Sequence, residues 1–379
     1  MLRIAVAVYP CPPITLNMYK WAKISAVLIG LSGLAYWVNR SRLQPTSVPA
    51  LTHEAIVPRS AQPITSSSAT TESPKSPQEI IAQFVKSGAP KLSVEQIELF
   101  LKGKNRGADS LLAAYRLSQD PAYLREAIKN FADNPAVQLE AALRAPTAEE
   151  RRQGIEAFKK LSPDNPLGNY LQADLAFTQG DYANAAQTLS ANLSNGTLPD
   201  FSASLFQNTE SAYSSSGYTP IESKIAALFA FNEDRVRYLG SLQNVSENLT
   251  NLRNQFIQQG DIDAAEPTVQ MELTLGQHIQ NQVNPALLNA LVGQAIERKT
   301  LESLDPATPL GSSNETVQSR LDELATKGQE INSLLNSLQA YPIESMSPEE
   351  LNQYTQLVQQ EGEISALKWW SAQKSAPQK

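Results

Sequence analysis

Apolar positions recur along most of the chain at the three- and four-residue spacing of an α-helix, and runs of alternating β-branched residues are absent. Helix starts are marked by a capping residue followed by proline, which suits the first helical position because the N–H that it lacks would have no partner there. Seven such pairs occur: Ser76-Pro77, Asp120-Pro121, Asn134-Pro135, Asn165-Pro166, Thr219-Pro220, Asn284-Pro285 and Ser347-Pro348. The pattern predicts an all-α fold without a sheet.

These signals divide residues 76–305 into a series of helices. Five caps are followed three residues later by the Glu or Gln of a capping box: Ser76, Ser93, Thr147, Thr219 and Ser347. Short helices with short connections favour antiparallel pairs over 76–200, and longer helices are predicted over 201–305. Gly293 lies in an apolar segment and is predicted to allow close contact between two helices. The predicted helices lie near 77–87, 93–102, 108–118, 121–131, 135–144, 148–161, 166–179, 181–193, 201–214, 220–231, 233–258, 262–281 and 285–303.

Residues 314–371 have a different pattern, that of a helical hairpin. Apolar residues and one glycine alternate in steps of four and three, as in a coiled-coil seam: Val317, Leu321, Leu324, Gly328, Ile331, Leu335 and Leu338. Proline at 342 and the cap at Ser347 predict a turn into a last helix near 348–371. The seam either packs within the chain or joins two copies by self-association, and both alternatives are open at this stage.

The N-terminal part predicts a membrane anchor. Residues 21–38 are almost entirely apolar and would span about 27 Å as a helix, close to the thickness of the hydrocarbon layer. Aromatic and basic residues border both ends, as they do in transmembrane helices. A cleaved signal peptide is the alternative, because Gly33-Leu34-Ala35 offers a small-x-small cleavage site.

Segments on both sides of the anchor predict its orientation. Three basic residues lie before Ile24 and two directly after Val38, a small excess that predicts a cytoplasmic N-terminal segment, 1–20. Residues 39–75 are rich in Pro, Ser and Thr and predict an extended linker. The chain is therefore expected to be a single-pass protein of a bacterial inner membrane, with its helical body in the periplasm.

Charge and cysteine content exclude several classes of function. The net charge is −7, and residues 201–379 contain 11 Lys and Arg against 21 Asp and Glu. Such an acidic half argues against binding of nucleic acid, which requires concentrated positive charge. Cys11, the single cysteine, lies outside the predicted helical body. That body therefore cannot contain a disulfide, a thiolate zinc site or a cysteine nucleophile.

Two helix–turn–helix segments share one turn sequence. The matching residues are Gly180, Asp181, Tyr182 and Ala185 in the first copy and Gly260, Asp261, Ile262 and Ala265 in the second. This motif resembles the turn between the two helices of a tetratricopeptide repeat. The resemblance implies that the glycine forms the turn, that the alanine lets two helices approach, and that helix pairs stack into an irregular solenoid. The later copy departs from the family at Arg253, where a small residue belongs, and at Pro267, which is predicted to interrupt its second helix.

Few residues are candidates for chemistry. No phosphate-binding glycine loop, nucleophile elbow or zincin motif occurs, so no catalytic residue, metal or cofactor is predicted. His278 is the only histidine of the predicted body and is expected at the surface of its helix. Trp369 and Trp370 are predicted either to dock on a partner or to cover the end of the helical stack.

Together these observations predict a membrane-tethered protein-interaction or scaffold protein without catalytic activity, whose partner is another protein. Two alternatives belong to other classes. One is a structural envelope protein that forms oligomers through residues 314–371. The other is a hydrolase of the cell envelope that uses a pair of carboxylates, for which the abundant acidic residues are the only motivation.

Overall fold

Helices make up most of the part of the chain that the structure describes. The computed structural model describes residues 76–375 except 146, 192–195, 199–200, 283, 285 and 311–314, without the side chains at 85, 202 and 231–237. Within these residues there is no β-strand, and one short 3-10 turn (Ile343–Ser345) accompanies fifteen α-helices: α1 Pro77–Ser87, α2 Val94–Gly103, α3 Ala108–Ser118, α4 Pro121–Asn130, α5 Pro135–Arg144, α6 Ala148–Leu161, α7 Leu167–Thr178, α8 Tyr182–Ser190, α9 Ser202–Ser215, α10 Pro220–Gln259, α11 Ile262–Gln280, α12 Leu287–Leu301, α13 Val317–Ala340, α14 Pro348–Glu361 and α15 Glu363–Ser375. The predicted all-α class is confirmed.

Side chains cap most of the helix starts that the sequence marks. Complete capping boxes are present at Ser76, Ser93, Thr219 and Ser347. The exception is α12, which begins later than predicted and has no cap from its own flanking residues. Instead, the N–H of Leu287 donates to the carboxylate of Glu363 in α15, at 3.0 Å. A residue distant in sequence therefore replaces the local cap.

Three further predictions about where helices end or are interrupted were wrong. The helices expected over 220–231 and 233–258 form one helix of 40 residues, α10, because no proline and only one glycine interrupt it. The last helix, expected over 348–371, is divided at Gly362, whose φ of 87° is accessible mainly to glycine. Pro267 lies inside α11 rather than interrupting it; in the second turn of the helix it removes one backbone hydrogen bond without ending the helix.

Neighbouring helices pack as pairs, and some pairs pack on one another. The main sequential pairs are α3 with α4, α5 with α6, α7 with α8, α9 with α10, α10 with α11, α11 with α12, and α14 with α15. In addition, α7 packs on α10, α8 on α11, and α3 on α9. No helix of the described part is both long and apolar enough to cross a membrane. The segments predicted for the N-terminal region, at 1–20, 21–38 and 39–75, lie outside that part.

The first and last helices share one apolar core. Phe84 of α1, Tyr213 of α9, Tyr354 of α14 and Trp370 of α15 belong to the same cluster of buried side chains. Trp370 is only 1 % exposed, and its indole N–H donates to the carbonyl of Tyr341 at 2.9 Å. Trp370 therefore packs within the chain and does not project towards a partner.

The α13 seam also faces the body of the protein. Ile331, Leu335 and Leu338 belong to the large cluster, while Val317 and Leu324 belong to a smaller one with residues of α11 and α12. The seam therefore packs within the chain. Self-association through 314–371 stays a prediction, and it would require these side chains to leave the two cores.

Two glycines mark the closest approach of α11 and α12. A Cβ at Gly293 would lie 2.5 Å from the carbonyl oxygen of Gly276, and a Cβ at Gly276 would lie 2.9 Å from the carbonyl oxygen of Gly293. Both distances are too short for a normal contact, so the helices touch through their backbones. The close contact predicted at Gly293 is confirmed.

Gly293→Ala is expected to lower the free energy of unfolding by about 1–3 kcal/mol, because α12 has to move away from α11 to fit the methyl group. Gly328→Ala in α13 is the matched control, since a Cβ there would have no neighbour within 4 Å. The control should raise stability by about 0.5–1 kcal/mol, as Ala replaces Gly inside a helix. Thermal unfolding followed by circular dichroism compares the variants, and equal stabilities would contradict the prediction.

Candidate functional site

The two turns that resemble a tetratricopeptide repeat have the same backbone geometry. Gly180 and Gly260 have φ values of 77° and 76°. In each turn the glycine N–H donates to the carbonyl three residues earlier at 3.0 Å, and the aspartate N–H donates to the carbonyl five residues earlier at 2.9 Å. The carboxylates of Asp181 and Asp261 then accept from a backbone N–H of the next helix, at 3.2 and 3.1 Å. Each turn therefore ends one helix and caps the next.

Side chains in the two turns point in equivalent directions. Ala185 and Ala265 are both fully buried, whereas Tyr182 and Ile262 are 47 % and 37 % exposed. The Tyr182 ring packs edge-on against Phe177, with 5.8 Å between ring centroids. Each turn thus places a small residue inside and a large apolar residue at the surface.

His278 joins the two helix pairs that carry these turns. Its Nδ1 lies 2.8 Å from the hydroxyl oxygen of Tyr170, near the start of α7, and it is only 6 % exposed. The prediction that His278 lies at the surface was wrong. Its neighbours Gln277 and Gln280 suggested a polar helix face, but both bond the buried carboxylate of Glu297.

Four buried carboxylates each contact at least one arginine. The pairs are Glu140 with Arg116 and Arg144, Asp174 with Arg151, Glu272 with Arg253, and Glu297 with Arg320, at 2.6–2.7 Å. Most of these ion pairs join different helices, so no short sequence motif predicts them. In the part of the chain that the structure describes, no group of three or more His, Cys, Asp or Glu side chains could hold a metal ion.

Glu272 and Glu297 lie on the two helices that cross at the paired glycines. Glu272 accepts from Arg253 at 2.6 Å and from the hydroxyls of Thr250 and Thr300 at 2.7 and 3.0 Å. Burial raises the pKa of Glu272, and the charge of Arg253 opposes that rise. Glu297 accepts from Nε and Nη2 of Arg320, at 2.7 and 3.1 Å. Polar contacts therefore connect α10, α11, α12 and α13.

Glu140 makes stability depend on pH. Burial alone would raise its pKa, but the adjacent Arg116 and Arg144 outweigh burial and hold the pKa below its usual value. A carboxyl group with a lowered pKa in the folded state stabilises the fold above its unfolded-state pKa, and this contribution is lost as pH falls through the folded-state value.

Glu140→Gln is therefore expected to lower the free energy of unfolding by about 2 kcal/mol at neutral pH. The difference from the unaltered protein should shrink as the pH falls below about 4, the usual range for Glu, because the unfolded chain then takes up a proton that folded Glu140 still resists. Denaturant unfolding at a series of pH values measures this. Glu156→Gln, at an exposed carboxylate, is the control and should show little difference at any pH. A Glu140→Gln deficit that is constant between pH 7 and acid would contradict the assignment.

One face of α2 exposes apolar side chains together with charged ones. Val94 and Leu99 are 64 % and 58 % exposed, and they share this face with Glu95, Glu98 and Lys102. These five residues are called the α2 face below. The face borders an open depression of about 750 Å³, lined by Glu95, Glu98, Leu99, Lys102, Asn105 and Arg106. The sequence analysis did not identify this surface, because no local signal distinguishes an exposed leucine of a helix from a buried one.

The turn after α2 is held in a strained conformation by ion pairs. Asn105 and Arg106 have φ values of 51° and 49°, in the left-handed region that favours glycine. The Arg106 guanidinium donates two hydrogen bonds to Glu126, at 2.7 and 2.6 Å, and one to Glu98 at 2.6 Å. These hydrogen bonds offset the energetic cost of the left-handed backbone conformation. They therefore hold the turn, and with it the end of the depression, in place.

Comparisons of the chain with protein-family models, with curated proteins and with solved structures find no match. The class of the protein therefore rests on the fold itself, an all-α body of packed helix pairs.

Proposed function

We propose that the protein is a membrane-tethered interaction or scaffold protein, whose helix pairs stack as an irregular tetratricopeptide-like solenoid and bind a protein partner. The observation that carries the proposal is the relation between the α7–α8 and α10–α11 pairs. The first helices of the two pairs, α7 and α10, pack on each other, and so do the second helices, α8 and α11. Within each pair, an equivalent turn joins the first helix to the second. Stacking of this kind is how helical repeats build an extended binding surface.

The N-terminal sequence supports the tether. Residues 21–38 have the length and borders of a transmembrane helix, and residues 39–75 have the composition of a linker. In this proposal the anchor lies in a bacterial inner membrane and the helical body in the periplasm. An alkaline phosphatase fused to the C-terminus tests the orientation. Activity of the fusion supports a periplasmic body, and inactivity overturns it.

The buried ion pairs favour binding over the hydrolase alternative. A carboxylate hydrolase needs two acidic side chains that face a common cleft. Here Glu140, Asp174, Glu272 and Glu297 are each buried next to arginine, an arrangement typical of structural contacts. The proposal is therefore a protein without catalytic activity and without a cofactor.

Cross-linking in cells tests the scaffold function. The tagged full-length protein is cross-linked, purified from the membrane fraction, and its partners are identified. A specific partner should be recovered with the unaltered chain and lost with the double variant Tyr182→Ser/Ile262→Ser, which changes the exposed residue of both turns. Leu161→Ser, at another exposed apolar residue, is the matched control and should retain the partner. Recovery of no partner at all would overturn the proposal.

A further inference from the structure

We propose that the α2 face is the contact surface of a symmetric dimer, with a second copy of this chain as its partner. The opposite side of α2 is occupied, since Ile97, Phe100 and Leu101 are buried in the core. The α2 face itself is open to solvent. Within the described residues, neither Glu95 nor Lys102 forms an ion pair, and Leu99 is more than half exposed.

Two antiparallel copies of α2 would bring opposite charges next to each other. The helix runs from Val94 to Gly103, so its midpoint lies between Glu98 and Leu99. A second α2 related by a two-fold axis through that midpoint runs antiparallel to the first. This arrangement places Glu95 opposite Lys102 of the other copy, and Lys102 opposite its Glu95. A two-fold interface requires such self-complementarity, because each contact occurs twice.

The most central apolar residue of the face fits the same symmetry. Leu99 lies next to the axis and would pack against its own counterpart. Glu98 lies equally close to the axis, on the other edge of the face, where Arg106 of its own copy balances its charge. Leu99 and Glu98 therefore occupy the centre of the contact, and one Glu95–Lys102 pair lies on each side of them.

The size of the surface implies a weak dimer. A helix of ten residues is about 15 Å long, which is shorter than the contact of a stable interface. Confinement to a membrane would raise the local concentration of the copies and favour such a contact. This last step rests on the proposed membrane tether, whereas the charge matching does not.

Charge reversal tests the proposed pairing. Glu95→Lys alone, or Lys102→Glu alone, turns two attractive contacts into two repulsive ones and should weaken dimerisation about tenfold. The double variant Glu95→Lys/Lys102→Glu exchanges the two charges and should restore dimerisation. Sedimentation of the full-length protein in detergent, over a range of concentrations, measures the dimer fraction. A monomer at all concentrations, or a double variant no better than the single ones, overturns the proposal.

Cross-linking through Leu99 tests the position of the axis. In a Cys11→Ser background, which removes the native thiol, Leu99→Cys should be joined into a dimer by a short bis-maleimide. Leu161→Cys, on an exposed residue of α6, should not. Equal yields at the two positions, or a product that joins Leu99→Cys to a different protein, overturn the proposal.

Measurements in the membrane and in detergent solution distinguish a failure of this inference from a failure of the proposed function. Loss of membrane association with retention of the dimer in detergent would remove the tether and leave the α2 pairing intact. Recovery of a specific partner together with a charge-insensitive monomer would retain the scaffold function and overturn the pairing.

Discussion

Trp370→Ala is expected to lower the free energy of unfolding by about 3–5 kcal/mol, the usual cost of removing a large buried aromatic side chain. Trp370 is 1 % exposed in the core that joins the first and last helices. Its indole also donates to the carbonyl of Tyr341, so the variant leaves a buried cavity and loses a hydrogen bond. Thermal unfolding of the full-length protein, followed by circular dichroism, measures the change.

Trp369→Ala provides the matched comparison. Trp369 is the adjacent residue of the same helix, but it is only partly buried at the edge of the core. Its loss should therefore cost clearly less than the loss of Trp370. Similar costs for the two variants, or a larger cost at Trp369, would contradict the structure of the C-terminal helices.

Glu297→Ala is expected to lower the free energy of unfolding by about 3–5 kcal/mol, because it leaves the charge of Arg320 buried without its main partner. The Glu297 side chain is only 1 % exposed, and that of Arg320 is 13 % exposed. Glu323 contacts the same guanidinium at 2.5 Å but is 43 % exposed. Glu323→Ala should cost less than about 1 kcal/mol, as for other solvent-exposed ion pairs.

A double variant shows whether the two residues act as a pair. Once Glu297 is absent, replacing Arg320 removes an unpaired buried charge. The variant Glu297→Leu/Arg320→Leu should therefore be more stable than Glu297→Leu alone, since apolar side chains can replace a buried ion pair at little cost. Denaturant unfolding of the variants measures this difference. Strict additivity of the two substitutions would show that the side chains do not interact.

Local signals in the sequence predict the helices well. Capping residues and prolines act on the backbone within three residues, so Ser76, Thr219 and Ser347 indicate their helices without reference to the rest of the fold. The start of α12 shows the limit of this reasoning. There the capping carboxylate comes from Glu363, which becomes a neighbour of Leu287 only after the chain has folded.

Burial of polar residues could not be predicted in the same way. Arg253, which departs from the repeat pattern, is buried because Glu272 on the next helix accepts from it. His278 is buried because Tyr170, more than a hundred residues earlier, bonds its ring. Leu99 is the opposite case, an apolar residue of a helix that the fold leaves exposed. Each outcome depends on which helices become neighbours, and local patterns of residues do not show that.

The shared core of the first and last helices has a consequence for synthesis of the chain. Phe84 and Trp370 belong to one cluster and are roughly 290 residues apart, which takes a ribosome about 15–60 s to translate at 5–20 residues per second. During that interval α1–α4 emerge without the side chains that later cover them. The nascent protein therefore presents apolar surface to chaperones until its final helices arrive.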